Sequence, residues 1–223
     1  MRTNDAPSRV PGARLDLAER TAAELRSMII DGALAPGQQL HEAALAQSLG
    51  VSRNSLREAY RIGIHDGLLE RHNHRGVFVR VPSLASLLDI YRVRRMIEEQ
   101  AVRHAVPRHP ALGAVREAVA AAQEHRRAGR WRQVGSMNMA FHAGLVALAD
   151  SERLDQWFAR LAAELRLAFR TIADAEYLHA PFVDANASIA ALLAEGRMAE
   201  AADALDAYFT RSERTLVAAY ARG

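Results

Sequence analysis

Apolar residues near the N-terminus recur every three or four positions in three short segments, which is the spacing of amphipathic helices. The segments run from about residue 17 to 31, from 41 to 49 and from 53 to 65. Glycine follows each of the first two, and Ser52, a good N-cap residue, precedes the third. The pattern therefore predicts three helices.

A short hairpin pattern follows the third helix. Residues 68–71 and 77–79 are predicted strands, and a polar turn over residues 72–76 separates them. Three helices followed by a hairpin are typical of a winged helix. We therefore expect a winged helix-turn-helix domain at residues 15–81, after a flexible N-terminal tail at residues 1–14.

From residue 84 onwards the pattern is helical to the end. Val81-Pro82-Ser83 forms a domain boundary, because proline disfavours helix in the residue before it and Ser83 can cap the next helix. Breaks such as Ala180-Pro181 divide the rest into six predicted helices. These run over residues 84–106, 111–128, 131–149, 152–174, 182–195 and 198–221. The expected fold is mainly α, with an antiparallel helical bundle at residues 84–223.

Composition excludes several classes of protein. The 223 residues contain no cysteine, which excludes disulfide scaffolds, zinc ribbons and thiol nucleophiles. No apolar run reaches the roughly 18 residues that a membrane helix needs, and the polar start has no signal-peptide core. We therefore expect a cytoplasmic protein that has no membrane partner.

The positive charge is concentrated in one stretch. Residues 51–80 contain six arginines against three acids, an excess of +3 that equals the net charge of the whole chain. Such a cluster is typical of a surface that binds nucleic acid, and a solvated helix face gives the same pattern. Charge alone leaves both interpretations open.

The third predicted helix has the layout of a helix that reads DNA. A short helix, a tight turn and a second helix present the start of the second helix to the major groove. Arg53 and Arg57 are four residues apart and share one helix face, where they can bond guanine or hold phosphates. Ser52, Asn54 and Ser55 can add shorter polar contacts.

Further motifs accompany this helix in the first domain. They are Leu34-Ala35-Pro36-Gly37-Gln38-Gln39-Leu40, Leu45-Ala46, Leu49-Gly50-Val51-Ser52-Arg53, Leu56-Arg57-Glu58-Ala59, Asp66-Gly67-Leu68-Leu69 and Arg75-Gly76-Val77-Phe78-Val79. The set resembles the winged helix of GntR-superfamily transcription regulators. The resemblance implies that Arg53 and Arg57 are the principal DNA contacts, with Asn54 and Ser55 beside them. It also implies a wing tip that enters the minor groove and consists of His74, Arg75 and Gly76.

Two positions depart from the family pattern. Asn54-Ser55-Leu56 stands where many relatives have Thr-Pro-Val, so the base preference is expected to differ. Ala43 stands where some relatives carry an arginine, which removes one phosphate contact.

The second domain carries weaker motifs. They are residues 91–98, Asn138, Phe141-His142, Ile189, Ala201, Leu205 and Phe209. They are similar to the FCD ligand-binding domain of the FadR branch, and six helices favour its shorter, VanR-like form. The resemblance implies a domain that binds a small-molecule effector and dimerises.

Many FCD domains hold a metal through one aspartate and three histidines, and the resemblance puts Asn138, His142, Asn186 and Tyr208 at those positions. Amides and a phenol are poor ligands for transition metals. One hypothesis is a metal-free pocket in which these four side chains bond an organic effector. Another is a rebuilt divalent-metal site at His142 that recruits His179, and a third is a core histidine without any ligand.

Arg94 is a further candidate in the effector site. It stands where FCD relatives often have an arginine that faces the pocket, and a guanidinium suits a carboxylate effector. The alternative is a surface pair with Glu98, four residues further along the helix.

The predicted function is a homodimeric transcription regulator and not an enzyme, with no cofactor. A two-fold dimer predicts a palindromic double-stranded DNA operator whose half-sites lie about one helical turn apart. An effector would change operator affinity by shifting the population of two conformations. The alternatives are a helical metal-dependent enzyme that uses His142 and His179, and a DNA-binding dimer that senses no effector.

Overall fold

The computed structural model describes residues 11–172 and 174–221. The chain divides into two compact units, Met1–Val81 and Pro82–Gly223. The first is a winged helix and the second is all-helical in its described part, which confirms the mainly α fold.

The first unit contains three helices and three strands in its described part. They are α1 (Pro11–Asp31), β1 (Gln39–Leu40), α2 (Glu42–Ser48), α3 (Arg53–His65), β2 (Leu69–His72) and β3 (Gly76–Val79). Helix α1 packs on α3 through buried side chains that include Leu25, Ile29 and Leu56. One face of α3 is therefore packed against α1, and the opposite face of α3 is exposed to solvent.

Helix α1 begins earlier than the sequence pattern predicts. It starts at Pro11 and not near Leu17, so the expected tail is corrected over residues 11–14, which are helical. Residues 1–10 of the expected tail lie outside the described residues.

The wing is a three-stranded antiparallel sheet and not the two-stranded hairpin that was predicted. Its strand order is β1-β3-β2, with Leu40 opposite Val77 and Leu69 opposite Val79. Strand β1 has only two residues, which is too short for a periodic signal in the sequence. It nevertheless attaches the wing to the start of α2, because His41 is the only residue between them.

The second unit has six helices among its described residues. They are α4 (Leu84–Arg103), α5 (Leu112–Arg127), α6 (Trp131–Ala147), α7 (Glu152–Phe169), α8 (Ala175–Ala194) and α9 (Met198–Tyr220). Helices α4, α6, α8 and α9 pack on one another and enclose most of the polar site described below.

The predicted break at Ala180-Pro181 is wrong, because Pro181 lies inside α8. The helix starts at Ala175, where the side chain of Asp174 accepts a hydrogen bond from the amide of Tyr177, and the preceding helix ends at Phe169. An internal proline removes one helical hydrogen bond. Burial of the flanking side chains, His179 and Phe182 among them, offsets that cost.

Candidate DNA interface and effector site

The first turn of α3 is organised by two serines. The hydroxyl of Ser52 accepts a hydrogen bond from the amide of Ser55 at 3.1 Å, which is an N-cap. The two hydroxyl oxygens are 2.9 Å apart. The side chains of Arg53 and Asn54 in the same turn are exposed. The serines therefore build the turn, and the longer polar side chains project from it.

Arg57 lies one turn further along the same face of α3. Its side chain is 58% exposed, and its Nε donates a hydrogen bond to Oε2 of Glu42 in α2 at 2.9 Å. This hydrogen bond raises the pKa of Arg57 above its ordinary value, so the group stays cationic. Two exposed arginines, Arg53 and Arg57, thus occupy the helix face that the sequence predicted.

The turn between β2 and β3 carries the other predicted DNA contacts. His74 has a φ of 62° and Gly76 a φ of 102°, both in the left-handed region that tight turns use. The carbonyl of Arg75 accepts a hydrogen bond from Nε2 of Gln39 at 2.6 Å. The guanidinium of Arg75 lies 5.5 Å from the ring centroid of Phe78. Strand β1 therefore braces the turn, while His74 and Arg75 remain exposed.

Glu98 is the centre of a buried hydrogen-bonded network in the second unit. Its carboxylate is 0% exposed, accepts a hydrogen bond from Nε of Arg94 at 2.8 Å, and lies 2.6 Å from Nδ1 of His142. An ionised carboxylate can only accept, so Nδ1 of His142 carries the proton. The contact joins α4 to α6.

The network continues from His142 into α8 and α9. The hydroxyl of Tyr208 lies 3.0 Å from Nε2 of His142 and 3.0 Å from Oδ1 of Asn138, and its single proton can be donated to either acceptor. Nδ2 of Asn186 donates to Oδ1 of Asn138 at 2.7 Å. All five residues predicted for the effector site therefore lie in one network, together with Glu98. The five are Arg94, Asn138, His142, Asn186 and Tyr208.

Two atoms of the network have no partner among the described residues. They are Nη2 of Arg94 and Oδ1 of Asn186, both fully buried. The guanidinium of Arg94 lies 5.2 Å from the ring centroid of Tyr91 and 5.1 Å from that of Phe209. Buried polar groups are nearly always hydrogen-bonded, so these two atoms are the ones in the network that can still bond a water or another molecule.

The network carries balanced charge. Burial lowers the pKa of His142 despite the adjacent carboxylate, so its imidazole is neutral near pH 7. Burial alone would raise the pKa of Glu98, but Arg94 and His142 together hold that pKa below its ordinary value. Burial raises the pKa of Tyr208. One cation and one anion therefore face each other among neutral groups.

These residues do not fit a metal centre. Both nitrogens of His142 already face polar partners, and Oδ1 of Asn138 lies within hydrogen-bonding distance of the amide of Asn186 and the hydroxyl of Tyr208. His179 packs against the ring of Phe169 and the backbone of Gly135, and burial lowers its pKa to about 4. No group of three His, Cys, Asp or Glu side chains could hold a metal ion within residues 11–172 and 174–221.

Sequence reasoning missed the roles of two acids. Glu98 was expected only as a surface partner of Arg94; the pair exists, but it is fully buried. The signal was present, because both residues continue the apolar stripe of α4 that includes Leu87 and Tyr91. No local sequence pattern indicated the contact of Glu42 with Arg57, because the two residues lie in different helices and are 15 positions apart.

None of the helices among the described residues is long and apolar enough to cross a membrane.

Comparison with known proteins assigns both units. Residues 17–79 match the model of the bacterial regulatory proteins of the gntR family, and residues 89–211, more than half of the chain, match the FCD domain. The chain is a GntR-family transcription regulator with an FCD domain.

Individual relatives agree with this assignment. The crystal structure of a GntR protein from Rhodococcus sp. RHA1 superposes on this chain with a TM-score of 0.86. The two sequences are 36% identical, and the match covers 91% of this chain and 98% of that one. The probable D-xylose utilization operon transcriptional repressor of Paenarthrobacter nicotinovorans is 30% identical over 74% of this chain and 77% of its own length. The match to an uncharacterized HTH-type transcriptional regulator of Bacillus subtilis is 37% identical but spans only 35% of either protein.

The FCD match and the six described helices of this GntR-family regulator are consistent with the VanR-like form of the FadR branch, as the resemblance implied. The gntR winged helix implies DNA binding, and the FCD domain implies binding of a small-molecule effector. The family matches are transcription regulators and not enzymes, so the alternative of a metal-dependent enzyme is wrong.

Proposed function

We propose that this GntR-family regulator is a cytoplasmic homodimer that binds a palindromic operator and changes its operator affinity when an organic effector enters the FCD domain. The observation that carries the DNA-binding part is the exposed arginine face of α3, together with the braced basic wing in the same unit. We assign the protein to the cytoplasm because its proposed ligand is operator DNA.

The DNA contacts divide by geometry. Arg53 and Arg57 project from α3 and have the length to reach guanine O6 and N7 in the major groove. Asn54 projects beside them, whereas Ser52 and Ser55 use their hydroxyls in the cap and are assigned to the phosphate backbone. The wing tip of His74, Arg75 and Gly76 is assigned to the minor groove, where an arginine suits the negative potential.

The effector site is assigned to the buried network of the FCD domain. The unpaired Nη2 of Arg94 would donate to a carboxylate or carbonyl of the effector, and the unpaired Oδ1 of Asn186 would accept from a donor group. Asn138, His142 and Tyr208 would re-form their bonds around the ligand. The effector must therefore bind the two conformations of the dimer with different affinity, because only that difference shifts DNA binding.

A specific observation favours a second candidate, a DNA-binding dimer without effector sensing. Glu98 already engages Arg94 and His142, so the protein's own side chains satisfy most of the network. Native mass spectrometry of freshly purified protein separates the candidates. A dimer that carries an extra organic mass supports the sensor. A dimer of bare chains that no small-molecule library stabilises supports the second candidate.

The DNA-binding proposal is tested by selecting bound duplexes from a random library with the full chain. A two-fold symmetric consensus with half-sites about one helical turn apart is expected. Binding should weaken steeply with salt, since phosphate contacts release counterions. Selection of no consensus would contradict the proposal.

A further inference from the structure

An ion pair joins the two helices of the helix-turn-helix. Glu42 is the first residue of α2, and Arg57 lies in the second turn of α3. Nε of Arg57 donates to Oε2 of Glu42 at 2.9 Å, with the two side chains 58% and 30% exposed. The pair therefore lies at the edge of the surface from which Arg57 projects.

The contact occupies one edge of the guanidinium and leaves another free. Arginine has five N–H groups in a planar fork. Among the described residues, no hydrogen bond engages Nη1 or Nη2 of Arg57, so its terminal edge with two parallel N–H groups is available. That edge matches the O6 and N7 acceptors of guanine.

The carboxylate also influences non-specific contacts. An anion beside Arg57 repels DNA phosphates and reduces the attraction of the arginine for any backbone. The same pair therefore disfavours an unspecific phosphate contact and orients the group for a base.

We propose that Glu42 is a specificity-determining positioning residue, which holds Nε of Arg57 so that the terminal edge of the guanidinium meets a guanine. This inference rests on the proposed function of Arg57 in operator binding. Without Glu42, Arg57 rotates freely and bonds phosphates as readily as bases, so non-specific affinity rises while discrimination falls.

The chain offers a matched control. Glu58 is an exposed acid on α3 that pairs with Arg61 at 3.0 Å on the same helix. Glu58→Ala removes one negative charge from the same motif without touching Arg57. Glu42→Gln removes the charge of Glu42 but keeps a carbonyl oxygen within reach of Nε.

The experiment measures discrimination by the full chain. A consensus duplex is selected with the wild type. Fluorescence anisotropy then gives the affinity of each variant for the consensus, for every single-base-pair substitution of it, and for an unrelated duplex. Arg57→Ala identifies the base pair that Arg57 reads. Each discrimination value is a ratio within one protein preparation, so differences in folded fraction cancel.

A bidentate arginine–guanine contact discriminates between bases by roughly 5- to 150-fold. At the base pair read by Arg57, the logarithm of the discrimination ratio should be lower in Glu42→Ala than in the wild type by at least about half. The affinity of Glu42→Ala for unrelated DNA should rise. Glu42→Gln should recover part of the discrimination, and Glu58→Ala should keep all of it.

Several results would overturn the inference. They are wild-type discrimination in Glu42→Ala, equal losses in Glu42→Ala and Glu58→Ala, no recovery in Glu42→Gln, or an Arg57→Ala variant that relaxes no base pair. Failure of the wild type to select any consensus would instead refute the proposed operator binding itself.

Discussion

Replacing the buried carboxylate of Glu98 with an amide should strongly destabilise the FCD domain. In Glu98→Gln, the single carbonyl oxygen can accept from Arg94 or from His142, but the amide NH2 then faces the other donor. The carboxylate bonds that are affected are 2.8 and 2.6 Å long and fully buried.

The size of the destabilisation in Glu98→Gln follows from the buried positive charge of Arg94 that remains. Arg94 is 1% exposed, so its cation would lose its counter-charge inside the protein. Breaking a buried ion pair on one side costs about 3–5 kcal/mol. For a chain of this size, that corresponds to a fall in Tm of roughly 6–20 °C.

Differential scanning calorimetry of the full chain measures this effect. Asp203→Asn is the control, because Asp203 pairs with Arg103 at 2.7 Å between α4 and α9 but is exposed. Exposed pairs contribute up to about 1 kcal/mol, so the control should stay within a few degrees of the wild type. A Glu98→Gln variant as stable as Asp203→Asn would refute the network's role.

The pH dependence gives a second readout of the same variant. Because Arg94 and His142 hold the pKa of Glu98 below its ordinary value, the contribution of the carboxylate is complete above the unfolded-state pKa of glutamate, about 4.3. The contribution is lost as pH falls through the lower folded-state pKa. The stability difference between the wild type and Glu98→Gln should therefore shrink in acid.

Three further predictions concern other contacts. Gly135→Ala should lower the free energy of unfolding by about 1–3 kcal/mol in urea titrations, because a Cβ there would lie 2.4 Å from Nε2 of His179; a neutral effect would contradict the close packing. Burial lowers the pKa of His179 to about 4, so below pH 6.5 the unfolded chain binds a proton that the folded chain does not. Stability should thus fall by about 1.5 kcal/mol between pH 6.5 and 5 from this group, and His179→Leu should show a flatter profile over that range. Gln39→Ala removes the 2.6 Å bond to the carbonyl of Arg75, so operator affinity measured by anisotropy should fall several-fold with little change in Tm; equal affinity would show that β1 does not brace the wing for DNA.

Much of the fold could be predicted because its signals are local. The N-cap at Ser52 and the stripe of α3 set the position of the helix that carries Arg53 and Arg57. Strand β1 could not be predicted, because two residues have no period and their pairing with β3 is long-range. Pro181 gave a false break, since the tertiary packing that allows it inside α8 is not visible in the local sequence.

The residues of the proposed effector site were predicted one by one from the family resemblance, and the structure joins them into one network. The hydrogen bonds among these residues could not be predicted from the sequence. Whether Arg94 and Glu98 face solvent or the interior depends on which stripe of α4 packs inward, and the apolar Leu87 and Tyr91 on the same stripe are the sequence signal for the interior. The contact of Glu42 with Arg57 spans 15 residues and two helices, beyond any local pattern.

The most direct test of the central claim is the affinity of Arg57→Ala for the duplex that the wild type selects. The account predicts a loss of about 1–3 kcal/mol on the selected operator, with discrimination relaxed at one base pair in each half-site. Binding isotherms for Arg57→Ala that coincide with those of the wild type on that operator would contradict it.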